Sequence, residues 1–369
     1  MSIWNEALDT IKPYRVASHK IWTVDPAERG GILKLDWNEA AVPPSPLVRQ
    51  RIAEAIAQDD FFHLYPATHN ESLMAALSAY TKLPEENIQY FGGSDSLHEY
   101  IARVYLKEGD RVLTLWPSYD NFRLTAESTG AKMFFADLTQ DFTFDEDAFF
   151  LRIDTVKPRL VYICNPNNPT GTLLPQSLIR RLLERYPGVC FVLDEAYTEF
   201  AGVSAAELVR EFSNLLITRT LSKAFGLANV RFGYLLASRA NIRTIDKIRN
   251  PKNISTLTQV AAQAALEDSA YMLDYVETVR MAREYFTRSV NEGRLHDFLH
   301  AFESHGNYVL LRCRTPEIKE MLLKFWEENS IFVRNVTQSA SLESCIRVTI
   351  GNGAQMERVL TVASLAFFG

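Results

Sequence analysis

Residues 160–200 read LVYICNPNNPTGTLLPQSLIRRLLERYPGVCFVLDEAYTEF. Leu160–Cys164 and Cys190–Leu193 are short apolar runs of strand-forming residues. Between them, Pro175–Tyr186 carries apolar residues at three- and four-residue spacing, the period of an amphipathic helix. Further β-rich runs at Arg111–Leu115, Leu215–Thr218 and Gly233–Ala237 extend this alternation from about residue 45 to 250. Such a pattern predicts an α/β fold with a largely parallel sheet covered by helices on both faces. Ligands of such sheets gather beyond the carboxyl ends of the strands. After Pro251 a long helical stretch is expected through about Val290. Strands at Tyr308–Arg312 and Ile346–Ile350 then mix with helices at Pro316–Asn329 and Ala354–Phe368. The expected division is a large domain of residues 40–250 and a smaller α+β domain of residues 251–369, completed by residues 1–39.

Four segments at strand ends carry candidate chemistry. Asn165-Pro166-Asn167-Asn168-Pro169-Thr170-Gly171 has the composition of an ordinary turn. Directly after a strand, it also suits a rigid turn that aims an Asn amide into a site. Asp194 and Tyr197, three apart at the end of the next strand, can point into one crevice. There a carboxylate could pair with a cationic ring nitrogen, although an acid in this place also serves as a helix cap. In Arg219-Thr220-Leu221-Ser222-Lys223-Ala224-Phe225-Gly226, the apolar neighbours of Lys223 desolvate its amine and favour the neutral nucleophile. Arg231 follows eight residues later as a plausible anion clamp. In Phe91-Gly92-Gly93-Ser94-Asp95-Ser96, small residues before a helix let backbone N–H groups approach an anion.

The chain has 369 residues, of which 47% are apolar and 23% charged, the balance of an ordinary globular protein. Its net charge of -6 argues against nucleic-acid binding, which demands a basic face. No apolar run approaches the length of a membrane span. Cys164, Cys190, Cys313 and Cys345 are scattered without metal-ligand spacing, and the seven histidines show no metal or triad pattern. Reduced thiols in a cytoplasmic protein, with no bound metal, are therefore expected, and the N-terminus has no signal-peptide pattern.

Taken in order, the phrases LDWNEAAVPPSP, YPATHNESL, GGSDSL, PSYDNF, NPNNPTG, LDEAYTEF, RTLSKAFGLANVRFGY and IRVTIG run from residue 35 to 351. Together they resemble the fold-type I pyridoxal-phosphate aminotransferases of the aspartate aminotransferase superfamily, and among these the histidinol-phosphate aminotransferases. The resemblance implies pyridoxal 5'-phosphate joined to Lys223 as an imine, with Lys223 also moving the substrate proton. It implies that Asp194 keeps the ring nitrogen protonated, that Tyr197 and Asn168 bond the phenolic oxygen, and that Tyr119 stacks on the ring. Gly93, Ser94, Asp95, Thr220, Ser222 and Arg231 match the phosphate cup. Tyr65 matches a tyrosine that reaches the phosphate from the neighbouring subunit, which implies a homodimer with shared active sites. Arg347 matches the arginine that grips the substrate's anionic group, and Arg334, Tyr14 and Asn38 match further substrate-side positions. Asn307 matches a structural asparagine of the small-domain strand.

The chain departs from the family pattern at Ser96, where an acid is usual, at Asn229, where Gly is usual, and in lacking the Asn-Pro pair after Glu39. The implied activity is transamination from an amino acid, glutamate first, to a keto substrate such as imidazole-acetol phosphate, the partner of histidinol phosphate, in histidine biosynthesis. The alternative is a decarboxylase of phosphothreonine or phosphoserine on the same scaffold. A non-catalytic regulator that binds the cofactor would need an added DNA-binding domain, for which this acidic chain leaves no room.

Overall fold

The computed structural model describes residue 3, residues 6–13 and residues 20–369, so Tyr14 lies outside the described residues. Among the described residues twelve strands form two sheets. In chain order they are β1 (Leu33–Leu35), β2 (Ile88–Phe91), β3 (Arg111–Trp116), β4 (Lys132–Asp137), β5 (Leu160–Cys164) and β6 (Cys190–Asp194). There follow β7 (Leu215–Thr220), β8 (Gly233–Ala237), β9 (Leu299–Ala301), β10 (Tyr308–Cys313), β11 (Ile331–Asn335) and β12 (Cys345–Thr349). The larger sheet has the order β2-β8-β7-β6-β5-β3-β4. All its pairs are parallel except those of β8, which runs against both neighbours.

Both faces of this sheet are buried, which is why its strands read as continuous apolar runs. Val161 and Ile163 of β5 face one core while Leu160, Tyr162 and Cys164 face the other. The helix Gln176–Arg185 lays Leu178, Ile179, Leu182 and Leu183 on the sheet. Its outward arginines pair with acids: Arg180 with Glu211, Arg181 with Glu146 and Arg185 with Asp154.

From β3 the chain runs outward to β4, then crosses back to β5 on the other side of β3 and continues through β6 and β7. The loops after β3 and β5 therefore diverge, and a crevice opens beyond the carboxyl ends of the strands. Facing it is the smaller sheet, β1-β11-β12-β10-β9, in which only β1 and β11 pair in parallel.

The parallel α/β sheet and the α+β remainder agree with the sequence reading, while several details differ, among them the short strands β1, β9 and β11 of the smaller sheet. The strand β4 was not expected, because as an edge strand it is only partly buried and its pattern is weak. The reversal of β8 follows from its connection to β7, which holds one short turn of helix, Ala228–Val230, and no crossover helix. The long helical stretch is two helices, Thr256–Glu267 and Ser269–Glu292, which meet at Asp268. The Asp268 carboxylate accepts a hydrogen bond from Ser45, the N-cap of the helix Pro46–Ile56. No helix among the described residues is long and apolar enough to cross a membrane.

One close approach ties the sheet to the crevice. Gly93, at a φ of 94°, opens the helix Ser94–Tyr105, and Gly233 of β8 passes directly against it. A Cβ on Gly233 would lie 2.5 Å from the Ser94 nitrogen and 2.6 Å from the Gly93 carbonyl carbon, backbone atoms that have no room to swing aside. Gly233→Ala is expected to cost about 1–3 kcal/mol of stability through overpacking, read as a lower urea midpoint. An unchanged midpoint would contradict this packing.

Candidate active site

The turn after β7 delivers Lys223 into the crevice, with Leu221, Ala224 and Phe225 buried around it. Its Nζ donates to the carbonyl of Trp37 at 3.0 Å and lies 5.8 Å from the centre of the Tyr197 ring. Burial first, and then the positive charge of Arg347, pull its amine down to about 8, against weaker opposing pulls from Glu39 and Asp95. A lysine in this state supplies far more neutral amine near neutral pH than an ordinary lysine does.

Asp194 ends β6 and is 2% exposed. Tyr162 of β5 donates its hydroxyl to Oδ2 at 2.6 Å, and the Ala196 N–H donates to Oδ1 at 3.2 Å. His98 Nε2 stands 3.7 Å from Oδ2. Burial pushes the carboxyl above its ordinary value, and His98 is the largest influence in the opposite direction. No lysine or arginine among the described residues pairs with this carboxylate. A buried anion of this kind calls for a cationic partner.

Tyr197 sits between the two sheets with its hydrogen-bond roles fixed by its neighbours. Arg347 of β12 can only donate, and its Nη1 donates to Asn168 Oδ1 at 2.6 Å. That contact turns Asn168 Nδ2 toward the Tyr197 hydroxyl, 3.3 Å away. Thr349 donates to Asn38 Oδ1 at 3.1 Å while accepting from the Asn38 N–H at 3.0 Å, so Asn38 Nδ2 also faces the Tyr197 hydroxyl, at 3.1 Å. With two amides donating to its oxygen, Tyr197 keeps its own O–H for an acceptor in the crevice. Arg347 Nη2 donates to the Asp36 carbonyl at 2.6 Å, and Asn307 Nδ2 to the Asn38 carbonyl at 3.1 Å. The other asparagines of the turn after β5 are structural. Asn165 bridges to Leu174, and Asn167 to Pro117, Ser118 and Thr170.

An anion cradle lies at one end of the crevice. Gly93 caps the helix Ser94–Tyr105 without any side-chain hydrogen bond, which leaves the first-turn N–H groups of Ser94, Asp95 and Ser96 without a capping side chain. The Thr220 hydroxyl donates to the Phe232 carbonyl at 2.9 Å and lies 2.8 Å from that of Ser222. The half-exposed Arg231 stands 3.4 Å from Asp95, whose other oxygen accepts from Tyr119 at 3.0 Å and Asn121 at 2.9 Å. Arg334 of β11 lies directly opposite Arg347 in the strand register.

The crevice thus brings together the expected Lys223, Asp194, Tyr197, Asn168, Asn38, Arg347 and the cradle residues. It does not bring in Tyr65, which is 81% exposed with Lys252 over its ring. Sequence reasoning missed Tyr162, His98, Thr349 and the Trp37 carbonyl. Tyr162 was legible in principle, because a phenol on a wholly buried strand needs a polar partner.

These groups fit pyridoxal 5'-phosphate: an amine for its aldehyde, a buried carboxylate for its ring nitrogen, a phenol O–H for its phenolate and a helix N-terminus with an arginine for its phosphate. Residues 31–362 match the model of the aminotransferase class I and II family. A dihydroxyacetone phosphate transaminase of Campylobacter jejuni is 39% identical over 96% of this chain and 95% of its own. A histidinol-phosphate aminotransferase of Ruminiclostridium cellulolyticum is 36% identical over 88% of this chain and 89% of its own. Among solved structures, the histidinol-phosphate aminotransferase of Sinorhizobium meliloti in complex with pyridoxal-5'-phosphate superposes with a TM-score of 0.86 at 25% identity, over 99% of this chain and 98% of that one. The chain belongs to the class I and II aminotransferases, fold-type I enzymes, and is a pyridoxal 5'-phosphate-dependent transaminase.

Proposed function

We propose that the enzyme moves an amino group to and from a small phosphorylated ketone whose carbonyl carbon lies one carbon from the phosphate ester. The observation that carries this reading is the pair Arg334 and Arg347. Directly opposite residues of an antiparallel ladder project on the same face, and like charges there repel. A dianionic phosphate between the two guanidinium groups turns that repulsion into charge-assisted hydrogen bonding. The named relatives support the same chemistry. Dihydroxyacetone phosphate, and the ketone corresponding to histidinol phosphate, share the carbonyl-CH2-O-phosphate unit. Glutamate is the proposed amino donor, with histidine biosynthesis the pathway if the imidazole compound is the substrate.

In this reading Lys223 holds the cofactor through Nζ, Asp194 its ring nitrogen, Tyr197 and Asn168 its phenolic oxygen, and Tyr119 the face of its ring. Gly93, Ser94, Asp95, Thr220, Ser222 and Arg231 hold its phosphate. The bound cofactor supplies an electron-withdrawing ring that stabilises negative charge at the substrate's α-carbon. Lys223 Nζ, in its unprotonated form, removes the proton from that carbon. Arg347 couples the substrate's charge to the Asn168 amide, and through it to the Tyr197 hydroxyl.

A homodimer is part of the proposal. Phe62, Leu64 and Tyr65 are exposed on one segment, which suits a second subunit whose cofactor phosphate Tyr65 would reach. The proposed domains are residues 40–250, and 251–369 with 1–39, in a cytoplasmic enzyme. Asn38 and the β1 segment, which bond to β12 and β11, support assigning the N-terminal residues to the smaller one.

Two outcomes test this reading. With the amino-loaded enzyme, dihydroxyacetone phosphate or imidazole-acetol phosphate is expected to accept the amino group, and dihydroxyacetone to fail. Arg334→Ala should lower kcat/KM for the phosphorylated ketone roughly 10- to 100-fold, the loss of a charge-assisted hydrogen bond. Equal reaction of the phosphorylated and free ketones would overturn the proposal. The attachment rate of the cofactor to the apoprotein should rise with pH to a midpoint of about 8. Arg347→Gln removes a charge that disfavours the protonated amine, so it should move that midpoint upward. A wild-type midpoint at the ordinary lysine value would contradict the role of burial.

A further inference from the structure

His98 lies on the helix Ser94–Tyr105 and is completely buried on the side of the sheet away from the smaller one. Its ring meets Phe122 edge-on at 5.4 Å and Tyr162 at 5.5 Å, while those two rings stack on each other at 4.4 Å. An apolar ring would fill such a nest equally well, and a histidine there carries a cost. Its Nδ1 has no hydrogen-bond partner among the described residues. Its Nε2 lies 3.2 Å from the Thr218 hydroxyl and 3.7 Å from Asp194 Oδ2.

The tautomer follows from these neighbours. With the proton on Nδ1, a bare Nε2 lone pair would face a carboxylate and a buried N–H would go unsatisfied. With the proton on Nε2, the N–H edge faces both oxygens. The imidazole therefore presents positive charge density to Asp194 from behind, while the Tyr162 hydroxyl fixes the same oxygen. These two contacts offset part of the cost that burial imposes on the ionised carboxylate.

We propose that His98 is a positioning residue that, through Asp194, strengthens the enzyme's grip on the cofactor's protonated ring nitrogen. The proposal rests on the reading of Asp194 as the partner of that nitrogen. It assigns no contact between His98 and cofactor or substrate.

The test compares the dissociation constants of pyridoxal phosphate and of its 1-deaza analogue, in which the ring nitrogen is replaced by carbon, for each variant by fluorescence titration. A packing role for His98 would affect both ligands equally, so the ratio of the two constants is the readout. In the wild type the natural cofactor should bind tighter than the analogue, and Asp194→Asn should abolish the preference. His98→Phe, which keeps an aromatic ring in the nest, should cut the preference about tenfold. His98→Gln, whose amide can reach the position of Nε2, should restore most of it. If the Phe variant does not fold, His98→Asn, whose amide falls short of the carboxylate, gives the same comparison. No preference in the wild type would sink the Asp194 reading and the proposal with it. A preference lost in Asp194→Asn but intact in His98→Phe would overturn the role of His98 alone.

Discussion

The placing of one desolvated amine is the constraint on which the rest of the site depends. Lys223 sits where the turn after β7 meets the segment after β1, surrounded by apolar side chains and held by a backbone carbonyl and not by a carboxylate. Had an acid taken the place of the Trp37 carbonyl, the amine would stay charged and unreactive near neutral pH. The parallel sheet makes this arrangement possible. Strand ends that share a direction bring Asp194, Asn168 and the Gly93 helix start to the same crevice as the lysine.

A second layer of order joins the residues at the strand ends of the larger sheet to those of the smaller sheet. Arg347, Asn168, Tyr197, Asn38 and Thr349 form one connected set of hydrogen bonds that spans both sheets. Each member leaves its neighbour a single sensible orientation, because arginine only donates and an amide offers one donor side and one acceptor side. In the proposed reading, a substrate anion held by Arg347 would be felt through this set at the Tyr197 hydroxyl.

Much of this was legible in the sequence, and the reasons for the rest are physical. NPNNPTG, LDEAY and the Lys223 turn each directly follow an apolar strand, so the α/β sheet and the gathering of Asn168, Asp194, Tyr197 and Lys223 could be read from local pattern. The family resemblance added Arg347 and Asn38; the contact of Asn38 with Thr349 joins residues 311 apart and has no local signal. The reversal of β8 and the edge strand β4 were missed because direction and edge pairing depend on the connections and not on composition. His98 is one of seven histidines that show no metal or triad pattern in the sequence, and nothing in the phrase LHEYIARVYL reveals that it is buried or which carboxylate waits across the sheet. Tyr65 matches a position that a second subunit would have to complete.

Borohydride reduction of the cofactor-loaded enzyme, followed by digestion and peptide mass analysis, tests the central claim most directly. The expected result is one cofactor fixed per chain on the peptide that contains Lys223, and none in Lys223→Ala. Cofactor fixed on another lysine such as Lys34 or Lys252, or on none, would contradict it.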